Sequence, residues 1–453
     1  MNVDRLFETL TEEVKRNMPP DIKIKEIKFE GPLVVVYTDD YEKISANDSV
    51  ARTLAQTIHR RVDIRPDPAN LEDPKTVEAK IRGMIPESAN IFDINFIEET
   101  GEALIEAVNP NEVVGKEGQL LADLRKESGW NVKVIRAPPI PSKTVSDVRG
   151  YLRANHDERQ EMLTRVARRL ARPKLDGEQW VRVTAMGGFR QVGRSCSLLT
   201  TRESKILIDC GLDPSSENTP YFGIPEVQPL DDIDAVVITH AHLDHCGTLP
   251  ALFKYGYKGP VYCTPPTRDL MALLQLDNIK LGFGENKKTP YEAQHVRQEI
   301  LHTITLKYNE TTDIAPDVRL TFHNAGHILG SAIAHFHIGD GLLDDVYHVV
   351  SELCARAVEA RGVDEDELRI AAVDDGADAV AGGLGFMGYD GDLLADERVG
   401  KRGLADIRPP GDRDHRCFGF HICSPVQNSK YIWSSARFSC PSSISPTTPP
   451  IFS

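Results

Sequence analysis

The first 140 residues repeat themselves, and that duplication restricts the fold more than any other feature of this 453-residue chain. Val3, Leu6, Phe7, Leu10 and Val14 are spaced for one face of a helix, which Pro19 and Pro20 end. An alternating segment at 22–29 and the apolar run Leu33-Val34-Val35-Val36-Tyr37 read as a strand pair. A polar turn, a helix over 49–60 and a strand closed by Pro66 and Pro68 follow. The order then recurs: a helix over 75–84, strands over 91–98 and 102–108, a helix over 119–126, and a strand closed by Pro138 and Pro139. At an offset of 70 residues, 41–54 lies on 111–124 without a gap, so Glu42 meets Glu112, Ile44 meets Val114 and Leu54 meets Leu124. Two copies of one small α/β module are predicted, at 1–70 and 71–141.

Residues 142–179 predict a helical linker with a basic stretch, since six bases stand against one acid between 159 and 174. A solvated face is the plainer reading of that stretch, and phosphate contacts are the alternative. From 180 to 341 short apolar strands alternate with Gly-rich turns. Strands are expected at 205–209, 235–239, 261–263, 319–322 and 331–338, with helices at 248–255 and 267–276. This is a third domain, of layered α/β kind. Beyond Gly341 the composition changes, and 342–453 reads as an atypical tail. A helix is expected over 346–361, 364–378 is acidic, and Ser and Pro crowd the chain from 423 onward without periodicity.

Charge and composition exclude several classes of function. No run of eighteen apolar residues occurs, so no membrane span is expected, and 1–20 lacks the apolar stretch of a signal peptide. Eight cysteines include no CxxC pair, which argues against a disulfide framework and against a thiolate zinc knuckle. A cytoplasmic location is the expectation. The net charge of −15 opposes indiscriminate nucleic-acid binding, but 340–453 alone carries 19 acids against 11 bases, −8 of that total. Local surfaces upstream are freer to meet a polyanion.

The strongest chemical signal is His240-Ala241-His242-Leu243-Asp244-His245, directly after the apolar run 235–239. Layered α/β sheets place sites at the carboxyl ends of strands. His240 and His242 can reach one ion, while Asp244 and His245 point at a neighbouring position; imidazole suits Zn²⁺, and the carboxylate suits a second divalent ion. His327, in the turn Ala325-Gly326-His327-Ile328-Leu329-Gly330-Ser331, is a further candidate ligand. Asp209, ending the run Ile206-Leu207-Ile208, joins Asp244 as a candidate for the catalytic set, orienting a ligand histidine from behind. His335 and His337 alternate on a strand and read as ordinary strand residues. Gly383-Leu384-Gly385-Phe386-Met387-Gly388 spells GxGxxG but lacks the strand–turn–helix context of a nucleotide site.

A second constellation is Gly115-Lys116-Glu117-Gly118, ahead of the helix at 119–126. KH modules use such a GxxG turn to bring backbone N–H groups against about four nucleotides. These four residues are the candidate RNA-binding set. The first copy has Ser45-Ala46-Asn47-Asp48 there, with an acid where phosphate would lie, and reads as a degenerate, structural copy.

The histidine motif resembles the metallo-β-lactamase superfamily. The framing Gly187-Gly188-Phe189-Arg190-Gln191-Val192-Gly193-Arg194-Ser195-Cys196 and the stretch 240–250 narrow the resemblance to its β-CASP ribonuclease branch. With KH-like modules in front, the chain is similar to archaeal homologues of the cleavage and polyadenylation specificity factor endonuclease, over about 1–341. The resemblance implies tandem KH-like modules followed by an αββα sandwich, a fold of α/β and α+β class. It further implies two zinc ions, cleavage of single-stranded, uridine-rich RNA, and transcript 3′-end formation and transcription termination beside RNA polymerase and its elongation factors. Family members form homodimers through C-terminal segments.

The chain also departs from that pattern. The family's metal-bridging Asp, in a Thr-Gly-Asp-like turn after the His327 motif, has no counterpart in Leu343-Asp344-Asp345-Val346-Tyr347-His348-Val349-Val350. Neither the general-acid histidine nor the last ligand histidine of a β-CASP domain is recognisable, and the break in composition after Gly341 is what a shifted reading frame would leave. The expectation is therefore one firmly held zinc, on His240, His242 and His327. The second site lacks ligands unless Asp340, Asp344 or Asp345 substitutes. A zinc-dependent endoribonuclease is the leading function. An RNA-binding protein with a truncated, impaired nuclease domain is the alternative, and a small-molecule hydrolase is disfavoured because it leaves the KH-like modules without a purpose.

Overall fold

Each half of the duplicated segment folds in one order. The first has α1 (Val3–Asn17), β1 (Ile24–Glu30), β2 (Leu33–Thr38), α2 (Tyr41–Ser45), α3 (Ser49–Ile58) and β3 (Arg61–Pro66). The second has α4 (Pro74–Met84), β4 (Ile91–Ile97), β5 (Glu102–Ala107), α5 (Pro110–Val114), α6 (Gln119–Ser128) and β6 (Asn131–Arg136). In both, the central strand pairs antiparallel with the strand before it and parallel with the last. The short α2 and α5 complete the order helix–strand–strand–helix–helix–strand; at five residues each they are too brief for periodicity to reveal. Leu54 and Leu124, matched at the offset of 70, are both fully buried, beneath Val36 and Ile105 of the central strands. Truncating either to alanine would cost about 2–5 kcal/mol.

This is a computed structural model. It describes residues 3–45, 49–138, 140–172, 180–189, 191–213, 219–284 and 289–339, with short strands at Val346–Val349, His421–Ile422 and Ser434–Ser435. Described residues up to Gly339 fall in one compact unit. The expected helix over 346–361 is contradicted at its start, where Val346–Val349 is a strand. Three of those four residues are Val or Tyr, which favour extended backbone. The GxGxxG at 383–388, the acids Asp340, Asp344 and Asp345, and residues 46–48 of the first copy's turn lie outside the described residues.

The two copies meet through a buried charge network. Arg65 on β3, 3 % exposed, donates to both carboxylate oxygens of Glu30 at 3.1 Å and to Asp63 at 2.9 Å, and lies 3.5 Å from Glu102. Lys133 on β6 reaches Asp63 at 3.0 Å and also pairs with Glu102. Asp63 and Lys133 hold the same position in β3 and β6, so the repeat faces itself with opposite charges. Burial opposes ionisation of Asp63 and Glu102, but Lys133 and Arg65 outweigh it and hold both carboxyls below their usual range. Removing one member would strand buried charge, at about 3–5 kcal/mol.

The linker is two helices, α7 (Lys143–Ala154) and α8 (His156–Leu170). Met162, Leu163, Val166 and Leu170 of α8 bury an apolar stripe, and Leu163 O accepts from Gly31 N of the first module at 2.9 Å. Three of the bases in this stretch correct the reading of a solvated or phosphate-facing surface, while Arg165 and Arg168 stay exposed as expected. Arg159 donates to the carbonyls of Leu301 and Thr303 at 2.6 and 2.9 Å, while Arg169 and Arg172 bind Asp234 at 3.2 and 2.6 Å. The basic stretch clamps the linker to the third domain.

That domain begins with β7 (Val181–Gly187), β8 (Cys196–Thr201), β9 (Lys205–Ile208) and β10 (Ala235–Val237), then α9 (Leu243–Cys246), α10 (Leu249–Lys254) and β11 (Val261–Cys263). It continues with α11 (Pro265–Gly284), α12 (Ala293–His302), β12 (Thr303–Thr305), β13 (Thr311–Ala315), β14 (Val318–Asn324) and β15 (Ala332–Ile338). One sheet runs β12-β11-β10-β9-β8-β7, parallel from β12 to β9 and antiparallel beyond. A second, antiparallel sheet runs β13-β14-β15. Two sheets, the first covered by helices, give the layered arrangement expected from the sequence. Strands β9 to β11 are buried on both faces, as a helix-covered parallel sheet requires. In β15, Ala334 and Phe336 point inward while His335 and His337 alternate outward. Among the described residues no helix is long and apolar enough to cross a membrane.

Candidate metal centre

Sheet order brings the scattered ligands together. β9 and β10 are parallel neighbours, so Asp209, just past β9, and the histidine turn, just past β10, emerge at one sheet end. The backbones there touch closely. Gly211 N donates to Ser195 O at 2.9 Å, and a Cβ on Gly211 would lie 1.6 Å from Asp244 O, so no other residue fits. Cys210 N donates to His245 O at 2.6 Å. The His327 turn joins β14 to β15 and docks on the same strand end, with Ala332 N donating to Thr239 O at 2.9 Å. Thr264 and Thr267 donate their hydroxyls to Gly330 O at 2.6 and 2.9 Å, and Ser331 Oγ accepts from His327 N at 3.1 Å.

The result is a cluster of three imidazoles. Ligand nitrogens of His240, His242 and His327 all lie within 4.8 Å of one another. His242 Nδ1 is 3.2 Å from both His240 Nε2 and His327 Nε2. Nitrogens converging so closely satisfy one another only in part, and a cation is the natural shared partner. His240 is buried, His242 half-buried and His327 exposed, which leaves the cluster open on one side. Burial, followed by the charges of His245, His242 and His327, pushes the pKa of His240 down to about 2. It is neutral over the ordinary pH range, as a ligand must be.

Asp209 organises this arrangement from behind. It is fully buried and in the left-handed region at φ 57, a conformation that costs about 1–3 kcal/mol. Its Oδ1 accepts from Thr239 N at 2.9 Å, and its Oδ2 lies 2.7 Å from His245 Nδ1. Thr239 Oγ1 lies 3.0 Å from both carboxylate oxygens and 3.1 Å from His240 Nδ1. A hydroxyl that donates to the carboxylate can accept only from Nδ1–H of His240, which leaves Nε2 with its lone pair toward the cluster. One carboxylate thus fixes His245 directly and His240 through Thr239. Asp209, expected in the catalytic set, is enclosed behind the histidines, with Thr239 and His245 as its partners. Asp244, one-third exposed, has Oδ2 3.7 Å from His245 Nε2, so these two line a position beside the three histidines.

The expected RNA-binding residues lie apart from this cluster, in the second module. Lys116–Gly118 forms a tight turn between α5 and α6, with Lys116 and Glu117 exposed. Gly115 has φ 74 and ψ −178, and a Cβ there would sit 2.7 Å from Leu120 Cβ. Sequence reasoning did not single out Thr239, Thr264, Thr267 or Ser331. For Thr239 the signal was present, a hydroxyl between a buried strand and the first histidine.

Two family descriptions match the chain: "Transcription termination factor FttA, KH domain" over residues 4–71, and "Metallo-beta-lactamase superfamily domain" over residues 198–349. The chain is similar to transcription termination factor FttA of Methanosarcina mazei, 50% identical over 349 residues that make up 77% of this chain and 55% of the relative. Against the protein of that name from Methanothermobacter thermautotrophicus the identity is 47% over 350 residues, 76% of this chain and 55% of the relative. For the one from Methanocaldococcus jannaschii it is 44% over 350 residues, 77% and 55%. The chain spans about half the length of the curated relatives it matches.

Proposed function

We propose that this chain, similar to FttA transcription termination factors over 77% of its length, is a zinc-dependent endoribonuclease acting at transcript 3′ ends. Its substrate is single-stranded, uridine-rich RNA, and it works beside RNA polymerase and its elongation factors. The observation that carries this reading is the convergence of His240, His242 and His327 within 4.8 Å at the carboxyl end of a parallel sheet. Three imidazoles with one open side fit a Zn²⁺ ion. An ion held there supplies Lewis acidity toward phosphate oxygens and makes water more acidic. The protein's own part is to orient the ligands: Asp209 and Thr239 fix which nitrogen of His240 carries the lone pair, and Asp209 fixes the same for His245. The second module recruits RNA through Gly115, Lys116, Glu117 and Gly118, whose glycines let a phosphate approach the backbone.

Elemental analysis of the purified chain should give close to one zinc per chain, lost in His240→Ala. A labelled uridine-rich RNA should be cut by the native chain and not by that variant. Cleavage that survives in His240→Ala after chelation would overturn the metal assignment. Two tightly held zinc ions would mean that a group outside the described residues completes the position beside Asp244 and His245.

One observation favours a second reading, an RNA-binding protein with an impaired nuclease domain. Among the described residues only Asp244 and His245 line the neighbouring position. Stoichiometric zinc and firm RNA binding with no cleavage would select it.

A further inference from the structure

Beyond the histidines, an open cleft of about 530 Å³ lies between the segment 219–223 and the C-terminal end of α10. Arg194, Tyr221, Phe222 and Tyr255 line it. Two large rings stand in solvent there, Tyr221 at 57 % and Tyr255 at 65 % exposure. Arg194 packs against the 219–221 segment and is 9 % exposed. Its Nη1 donates to Thr219 O at 2.9 Å, and its Nη2 donates to Gln191 Oε1 at 3.1 Å and to the Tyr221 hydroxyl at 3.2 Å. The guanidinium lies 4.7 Å from the centre of the Tyr221 ring. Its bonds go to a carbonyl, an amide and a phenol, none of which neutralises its charge. Its Nε is buried with no acceptor among the described residues. Arg194 is also a non-glycine residue in the left-handed region, at φ 44, and such strain gathers where a side chain must be held in place.

This cleft is coupled to the metal centre. Arg194 N donates to Leu212 O and Ser195 N to Asp244 O, both at 2.8 Å, so the backbone that carries the guanidinium is bonded to the metal turn. Tyr255 lies at the far end of the six-residue α10, which starts after Thr248.

We propose that the cleft holds one unpaired nucleobase of single-stranded RNA while the backbone runs on toward the histidines. The inference rests on the RNA reading above and deepens it. Exposed tyrosine faces with a cation behind one of them suit a flat aromatic ring, and every base offers such a face, so the subsite grips RNA without reading its sequence. Glycine at 223 keeps one wall low, and the arginine disfavours a cationic peptide.

The test is equilibrium binding of the full chain to a labelled uridine-rich RNA, with a matched series in which one abasic nucleotide is moved along the strand. Tyr221→Ala and Tyr255→Ala should each weaken binding five- to tenfold with unchanged thermal midpoints, whereas Tyr221→Phe, which keeps the ring, should bind like the native chain. In the native chain one abasic position should cost a similar factor. In Tyr221→Ala that same position should cost nothing more. Native RNA binding with unaltered affinity in both alanine variants would overturn the subsite, leave the RNA reading intact and point to a protein as the occupant. Abasic and tyrosine penalties that simply multiply would overturn it as well. A native chain that binds no RNA would overturn the RNA reading and the subsite together.

Discussion

At the metal centre the rings of His240 and His245 are turned by the buried side chains of Asp209 and Thr239, whereas at residues 115–118 the backbone alone does the aiming. Asp209, Thr239 and His245 form a closed hydrogen-bonded set with no water-facing member. The turn at 115–118 has exposed side chains and owes its shape to glycines at φ 74 and φ 81. A site made by side-chain relays fails when one polar atom is lost. A site made by backbone conformation tolerates changes of charge but not of Cβ.

The largest effect should come from breaking the relay. Asp209→Ala removes the acceptor for Thr239 and His245, so zinc affinity in a competition titration should fall 10- to 100-fold, as for lost outer partners of metal ligands. Asp209→Asn keeps the shape and the Thr239 N–H bond, and should lie between. Native affinity in Asp209→Ala would dissolve the contrast between the two regions.

Acid should separate them next. His302, on α12 of the third domain, is buried with Nδ1 2.9 Å from Gly259 O, and burial lowers its pKa to about 4 despite that bond. The folded state therefore binds fewer protons than the unfolded state between about pH 6.5 and 4. His302 contributes stability that is complete above the unfolded pKa and is lost as pH falls through that window, on the order of 3 kcal/mol. The modules hold only one histidine, the exposed His59, and the carboxyls of Asp63 and Glu102 titrate at lower pH than usual. Hydrogen exchange at pH 4.5 should show the third domain opening before the modules; the reverse order would refute this.

Backbone dependence is tested at the glycines. Gly115→Ala meets Leu120 Cβ at 2.7 Å and should destabilise the second module by about 2 kcal/mol. Gly118→Ala meets nothing within 4 Å and carries only the left-handed penalty, about 1 kcal/mol. Equal thermal shifts for the two would remove the steric part of the argument.

The smallest effect concerns charge on the same turn. Replacing Lys116 and Glu117 by aspartates should leave circular dichroism unchanged and weaken RNA binding by about 1 kcal/mol at low salt, with a shallower salt dependence. Unchanged affinity would mean that RNA does not pass this turn.

What could be read beforehand follows the same division. His240, His242 and His327 were legible because spacing after an apolar run and a glycine-bounded turn are local patterns. The hydroxyl of Thr239 before the first histidine was visible too, but its bridge to Asp209 was not, since that depends on β9 and β10 being neighbours. The basic stretch of α8 misled because a count of charges is silent about carbonyls 142 residues away, where Arg159 is bound to Leu301. The one-turn α5 was hidden by its length. Tyr221 and Tyr255 gave no sequence signal, because a cleft is a property of two chain segments at once.

The pairing of Asp63 with Lys133 carries a consequence for assembly. Duplicated modules that had stayed identical would place like charges at this position, Asp against Asp or Lys against Lys, in a half-buried seam. Divergence to opposite signs makes the two copies a lock and its key within one chain. A module meeting its own twin through this face would set two charges of one sign against each other, so the seam disfavours pairing of like modules. Duplication supplied the matching shapes, and the charge difference ensures that each half recognises its sibling rather than itself.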